Sequence, residues 1–408
     1  MSLCEEILSK CFKIANYEIT GIEESGTRII LSLSRVGESC CQCGSTSKRY
    51  DSTVQEFLIG SLNMLPIYAR VRIWRINCEA HGIVTERHGI NTGKKRHSIA
   101  VENAVLRYTE KLDNKAAAEL FGISAMQIYR IDWEGLKQLE QRYLNDLPRP
   151  DCLSVDETAY KRRHNYATII SDYKAGKVLW LEKDRKQDDL MRGYNVLGDS
   201  LEHVDSVSMD LWRAFENATK RCLPKAKVVY DRFHIARLLN RAIEKERREY
   251  QKNLPDCERK VMKKHSRWVL LKRSSNLTDK NQNHLESLKQ VNKPLYEIYL
   301  LKEAFLDIFD PQMSIKNARK QIFTWIREIY QTNYENLKRF AKSILKRMHN
   351  ILNWFENPIS NGKAEGINNV IKTLLKRAYG YKNFDYFRLK VLQKCGYLMK
   401  YAYPQFLL

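Results

Sequence analysis

Between Cys152 and Ile235 short apolar runs alternate with amphipathic stretches, and that order leaves few folds open to the chain. Three strand candidates come first, Cys152 to Val155, Tyr166 to Ser171 and Val178 to Glu182, with the Lys174-Ala-Gly176 turn between the last two. A helix is then predicted from about Lys186 to Leu197, a strand from Val204 to Met209 and a helix from Trp212 to Cys222. A fifth strand, Lys227 to Tyr230, leads into a helix beginning near Ile235. Written out this is β-β-β-α-β-α-β-α, the order of a ribonuclease-H-like fold. Its later strand–helix alternation requires parallel pairings joined by crossover helices. Leu147-Pro-Arg-Pro150, just upstream, is the clearest domain boundary.

The strands end in acids. Asp156 closes the first and Asp210 the fourth, and in a sheet of this order those strands lie side by side. Their carboxylates would then reach the same Mg²⁺ or Mn²⁺ ions, since hard divalent cations need oxygen ligands. Phosphoryl transfer in turn needs charge neutralised on the attacking and leaving oxygens. Glu365 is the best third acid: it follows the Ser360-Asn361-Gly362 turn and opens the helical run Gly366 to Leu375. Glu157 neighbours Asp156 on the same strand and points to the opposite face. Asp231 also ends a strand, before Arg232-Phe233-His234, and competes for the second position. Strand order favours Asp210, leaving Asp231 and His234 as auxiliary residues beside the metals or the scissile phosphate. Taken singly, each acid suits a cap or a salt bridge; the shared strand-end placement sets them apart.

Upstream, Tyr17 to Glu24, Arg28 to Leu33, Val54 to Leu58 and Ile67 to Ile76 read as strands, making residues 1–97 β-rich. Cys40-x2-Cys43 and Cys78-x2-His81 supply three thiolates and an imidazole, a tetrahedral set for one structural zinc ion. Cys41 offers a competing register, with a one-residue gap to Cys43 that is short for the usual paired turn. Four protein ligands leave no position for substrate. From Ser98 the pattern turns helical, and Asn114 to Ile131 gives two helices broken at Gly122, the second capped by Ser124. A helix-turn-helix over 98–147 follows, and Ser124, Gln127, Tyr129 and Arg130 would present its second helix to a DNA groove. Core packing or dimerisation would explain the helix pair equally.

Lys and Arg number 70 against 48 Asp and Glu, a formal charge of +22, which favours a polyanionic partner. No apolar stretch approaches the roughly 20 residues that cross a bilayer, and Glu5 and Glu6 interrupt any signal-peptide pattern. The remaining cysteines are scattered, as buried thiols of a cytoplasmic protein would be. Residues 236–345 read almost entirely as helix, and Arg241 to Lys280 alone holds thirteen Lys or Arg against six Asp or Glu. There Lys263, Lys264, Lys272 and Arg273 would suit backbone phosphates, unless the run is a solvated face laced with ion pairs.

The ordered set of motifs resembles the ISL3 family of bacterial insertion-sequence transposases over nearly the whole chain. Its pieces are Cys40-Cys-Gln-Cys-Gly44 with Cys78-Glu-Ala-His81, Val155-Asp-Glu157 with His164-Asn-Tyr166 and Asp172, and Val207-Ser-Met-Asp-Leu-Trp212. Pro224-Lys-Ala226, Asp231-Arg-Phe-His234 and Ser360-Asn-Gly-Lys-Ala-Glu-Gly-Ile-Asn368 follow, then Lys372, Arg377-Ala-Tyr-Gly-Tyr381 and Phe384. One departure is His81, where the family would usually carry a cysteine.

The resemblance implies a multidomain α+β and α/β protein: a zinc-binding region (1–97), a helix-turn-helix region (98–147) and a ribonuclease-H-like DDE core. The core would comprise 151–235 and 351–408, the latter carrying the final Glu, split by a mostly helical insertion at 236–350. It implies binding of terminal inverted repeats, cleavage at the element's ends with two divalent ions, and strand transfer into target DNA. Lys372 and Arg377 join the DNA-contact candidates, and a homodimer associated with the bacterial nucleoid is expected. A DNA-binding regulator without catalysis, or a structure-selective nuclease, would use the same scaffold differently.

Overall fold

A computed structural model describes residues 16–37, 41, 43–44, 47–91, 95–161, 165–252, 266–359 and 362–402. The chain forms two compact units, one of Met1–Asp146 with Lys376–Leu408 and one of Leu147–Leu375. The architecture is mixed α and β, with an N-terminal sheet that carries a Cys/His cluster and a helix-rich C-terminal region.

In the first unit β1 (Tyr17–Ser25), β2 (Arg28–Arg35), β3 (Lys48–Leu62) and β4 (Leu65–Cys78) stand in the order β1-β2-β4-β3. The short β5 (Gly82–Thr85) pairs with the C-terminal end of β4. β4 is the hub: its first half runs parallel to β2, and its whole length antiparallel to β3. One face buries Leu31, Phe57, Ile67, Val71 and Ile73. Leu58, on the other face of β3, packs with Val101, Val105, Phe121 and Ile128 from three helices.

Those helices are α1 (Ile99–Lys111), α2 (Asn114–Phe121) and α3 (Ala125–Asn145). Ser98, Asp113 and Ser124 cap them by accepting from Val101, Ala116 and Gln127 backbone N–H groups. Each such cap contributes about 1 kcal/mol. The α2–α3 turn needs glycine for two reasons. Gly122 has φ +63°, and a Cβ there would sit 2.0 Å from the Met64 carbonyl oxygen at the tip of the β3–β4 hairpin. The C-terminal helix α14 (Phe384–Cys395) belongs to this same unit. Its Lys390 donates to the Thr109 carbonyl at 2.8 Å and pairs with fully buried Asp132 at 3.1 Å, while the Tyr386 hydroxyl donates to Asp132 at 2.6 Å. A buried carboxylate so provided for ties the far end of the chain to α3.

In the second unit β6 (Cys152–Lys161), β7 (Asn165–Asp172), β8 (Lys177–Lys183), β9 (Ser206–Met209) and β10 (Lys227–Tyr230) form one sheet, ordered β10-β9-β6-β7-β8. β6, β7 and β8 pair antiparallel, whereas β9 runs parallel to both β6 and β10. The parallel pairs are reached through α4 (Gln187–Leu197) and α5 (Arg213–Cys222). The central strands are covered on both faces: Leu153, Val155, Val207, Met209 and Val229 are fully buried, and the serines that alternate with them, Ser154, Ser206 and Ser208, are buried too.

From β10 the chain enters α6 (Arg232–Lys252), then α7 (Ser266–Leu271), α8 (Asp279–Val291), α9 (Lys293–Asp307), α10 (Ile315–Gln331), α11 (Glu335–Lys346) and α12 (Met348–Leu352). Phe305, Trp325 and Phe340 form the aromatic centre of this bundle, with ring centroids 4.7–5.9 Å apart. The helix α13 (Gly362–Arg377) follows.

Candidate active site and metal centre

The metal centre sits where β4 ends. Cys78, the last residue of that strand, places its Sγ 3.3 Å from Cys41 Sγ, 3.7 Å from Cys43 Sγ and 3.5 Å from His81 Nδ1. All four ligand atoms lie within 4.8 Å of one another. Cys41 and Cys78 are buried against Ile76, and the Cys43 backbone N–H donates to Cys41 Sγ at 3.3 Å, a bond that favours a thiolate. Three sulfurs and one imidazole are the donors of a closed, structural zinc site. Cys40 lies outside the described residues; among the described ones the cluster holds Cys41, which is buried beside Cys78.

The acidic site begins on β6. Its ladder with β9 stops at Val155↔Met209, so Asp156 and Asp210 are the next residues on two adjacent parallel strands. Asp156 does not end its own strand as expected: β6 continues to Lys161 along β7, and only the parallel neighbour stops there. The Asp156 carboxylate accepts from the Glu157 N–H at 2.8 Å and from Asn368 Nδ2 on α13 at 2.7 Å. Burial pushes this carboxyl up; the Glu157 N–H, His234 and Asn368 oppose that, and the Asp210 charge adds to it. Glu157 faces away and pairs with Arg185 at 3.0 Å, which lies over the Tyr166 ring.

Asp210 accepts from the Leu211 N–H at 2.5 Å and keeps 38% of its side chain exposed. Asp231 is its opposite: 1% exposed, it accepts from the Phe233 N–H at 3.1 Å and from His234 Nδ1 at 3.0 Å. It starts α6 and orients the imidazole, whose Nε2 stands 3.9 Å from Asp210. Burial alone would lower His234, but the bond to Asp231 and the charges of Asp210, Asp231 and Asp156 outweigh it and push it up.

Glu365 lies exposed in the first turn of α13, on the same helical face as Asn368 three residues on. Among the described residues the Cys/His group is the only such set gathered within 4.8 Å, so the three carboxylates are not equally converged. Asn368 was no expected site residue, although its i+3 spacing from Glu365 was a usable signal.

The DNA-contact candidates divide. Ser124 and Gln127 are exposed and bond each other in the capping box of α3. Tyr129 is half-buried against Trp133 and Tyr386, and Arg130 is exposed. Arg273 pairs with Asp307 at 2.7 Å and Glu303 at 3.5 Å, while Lys272 is exposed. Lys263 and Lys264 lie outside the described residues. Lys372 is exposed, and Arg377 donates to the Lys111 carbonyl at the end of α1.

The ISL3-type DDE family, described as Transposase, matches residues 153–391. The transposase for insertion sequence element IS1001 of Bordetella parapertussis is 28% identical over 373 residues, covering 86% of this chain and 87% of that protein. The transposase for insertion sequence element IS1557 of Mycobacterium tuberculosis (strain CDC 1551 / Oshkosh) is 23% identical over 392 residues, covering 88% and 86%. A solved Drosophila P element transposase strand transfer complex aligns distantly, at TM-score 0.37 and 11% identity over 74% of this chain and 92% of that one.

Proposed function

The chain belongs to the ISL3 family of DDE transposases, and from that premise we propose that it binds the terminal inverted repeats of its element, cleaves there and joins the ends to target DNA. The single observation that carries the catalytic assignment is the β6–β9 register, which puts Asp156 and Asp210 side by side on parallel strands. With the sheet order β10-β9-β6-β7-β8 and its helical crossovers, it supports reading the second unit's sheet as a ribonuclease-H-like core interrupted by the helices of 236–350. The α2–Gly122–α3 pair supports a helix-turn-helix, with Arg130 and the capped N-terminus of α3 offered to DNA.

Asp156, Asp210 and Glu365 have the hard oxygen donors that two Mg²⁺ or Mn²⁺ ions take. Such ions supply charge neutralisation on the attacking and leaving oxygens of an in-line displacement. The residues do the positioning. Asn368 and the Glu157 N–H fix the Asp156 carboxylate, and Asp231 holds His234 toward Asp210. Water attacks the end phosphodiester and a 3′-hydroxyl leaves; that hydroxyl then attacks a target phosphodiester and displaces a second 3′-hydroxyl. The Cys/His centre has no part in this and holds the N-terminal sheet together. A homodimer on DNA in the bacterial cytoplasm is the working assembly; among the described residues no helix is long and apolar enough to cross a membrane. Incubating the protein with Mg²⁺ and a duplex ending in the flanking repeat should yield a new 3′-hydroxyl at the element end. Asp156→Asn should bind that duplex and leave it intact; cleavage by Asp156→Asn at the wild-type rate would refute the assignment.

A further inference from the structure

The second unit carries a groove of about 790 Å³ between α6 and α11 that the reaction above does not use. Phe233, Arg237, Arg241 and Lys245 line it from α6, at intervals of four residues, and Arg339 faces them from α11. Four-residue spacing keeps side chains on one helical face and about 6 Å apart along the axis. The result is an aromatic ring followed by a single file of cations. All four cations are exposed, and among the described residues none of them forms an ion pair. The acid on this groove, Glu244, is engaged by Arg247 at 2.8 Å and Arg248 at 2.9 Å. An ordinary solvated helix face interleaves its charges; this one leaves its positive file unanswered.

A further detail points to a ligand with bases. Phe233 is 63% exposed, unusual for a ring that gains so much from burial. The groove's aromatic ring neighbours the acidic site along the chain: the Phe233 N–H donates to Asp231, and the next residue, His234, stands 3.9 Å from Asp210.

We propose that this groove is a single-strand DNA channel that receives the unpaired strand at the cleavage point, with Phe233 stacking on its first base. The volume admits a few nucleotides and no duplex. The cations follow the phosphates, and the stacking is indifferent to base identity, as in other single-strand sites. The inference rests on the transposase reading for the source of that strand, but the groove's own binding can be measured without catalysis.

The test uses the full chain without added Mg²⁺ or Mn²⁺ and fluorescein-labelled duplexes, blunt or with a single-stranded overhang bearing 2-aminopurine at its first unpaired position. Wild type should prefer the overhang and perturb the 2-aminopurine emission. The Arg237→Gln/Arg241→Gln/Lys245→Gln variant should lose the preference and flatten the salt slope by roughly 0.7 for each contact removed. Phe233→Ala should keep the slope, lose the 2-aminopurine response and bind the overhang roughly 5- to 100-fold more weakly, and Phe233→Trp should restore both. Should the triple variant misfold, Arg241→Gln alone should still flatten the slope by roughly 0.7. A wild-type slope and preference in these variants would overturn the channel. Failure of the wild type to cleave repeat ends in Mg²⁺, with the groove behaving as stated, would instead refute the transposition chemistry and leave the channel standing.

Discussion

The Cys/His centre of the first unit and the acidic site of the second are both built where a strand ladder stops, yet one is gathered and the other open. Four soft ligands lie within 4.8 Å of each other around Cys78, two of them buried. Asp156 and Asp210 follow the last paired rung of two neighbouring parallel strands with Asp210 38% exposed, and Glu365 sits apart on an exposed helical turn. The difference follows from what each must do. A structural centre gains stability by closing, because its ligands then leave no room for water or substrate. A site that works on a DNA phosphate must instead keep an open side.

Breaking the closed centre should have the largest effect. Cys78→Ser removes the sulfur closest to the other three ligands, and metal analysis should find the bound zinc lost. Structural zinc supplies on the order of 10 kcal/mol of folding free energy in small metal domains, so unfolding of the first unit should move far ahead of the second. Retention of a full zinc equivalent would contradict the described ligand set. At the open site, Glu365→Gln should lower cleavage on the order of 10³-fold, about 4 kcal/mol in the transition state. Folding and repeat binding should stay unchanged, since the side chain is exposed; loss of the fold would show that Glu365 is structural.

Asp132→Ala probes the first unit away from its metal. It strands Lys390 as an unpaired buried cation, which should cost about 3–5 kcal/mol in denaturant unfolding. A cost below 1 kcal/mol would mean that α14 is not anchored there. The smallest effect should come from Ser124→Ala, which removes the α3 cap for about 1 kcal/mol. Together with a drop in repeat discrimination, that loss would tie the α3 N-terminus to DNA recognition; unchanged discrimination would assign the helix pair to packing alone.

Much of the second unit was legible because its constraint is periodic and local. Apolar runs of strand length, separated by helical stretches, leave little choice of sheet order, and the neighbouring strands of Asp156 and Asp210 follow from it. The continuation of β6 past Asp156 was not legible, since Glu157, Thr158 and Lys161 interrupt the apolar pattern while Thr158 and Ala159 still pair with β7. Nor was the place of Cys41 in the cluster, since its burial beside Cys78 is a contact across 37 residues. The return of Lys376–Leu408 to the first unit depends on Lys390 meeting Asp132 across 258 residues. Nothing in the sequence near either residue announces that pair. The cations of α6 were visible in composition, but their common face emerged only once the helix began at Arg232.

The assignment of the second acid is the point on which the active site turns, and paired cleavage assays of Asp210→Asn and Asp231→Asn, at equal folding and repeat binding, test it directly. Asp210 is the open carboxylate, so its amide should abolish release of the 3′-hydroxyl. Asp231 is bonded to His234 Nδ1, so its amide should slow the reaction about 10- to 100-fold, as loss of a supporting hydrogen bond does. An inactive Asp231→Asn with weakened metal binding, beside an active Asp210→Asn, would contradict the account and move the second ligand to the buried acid.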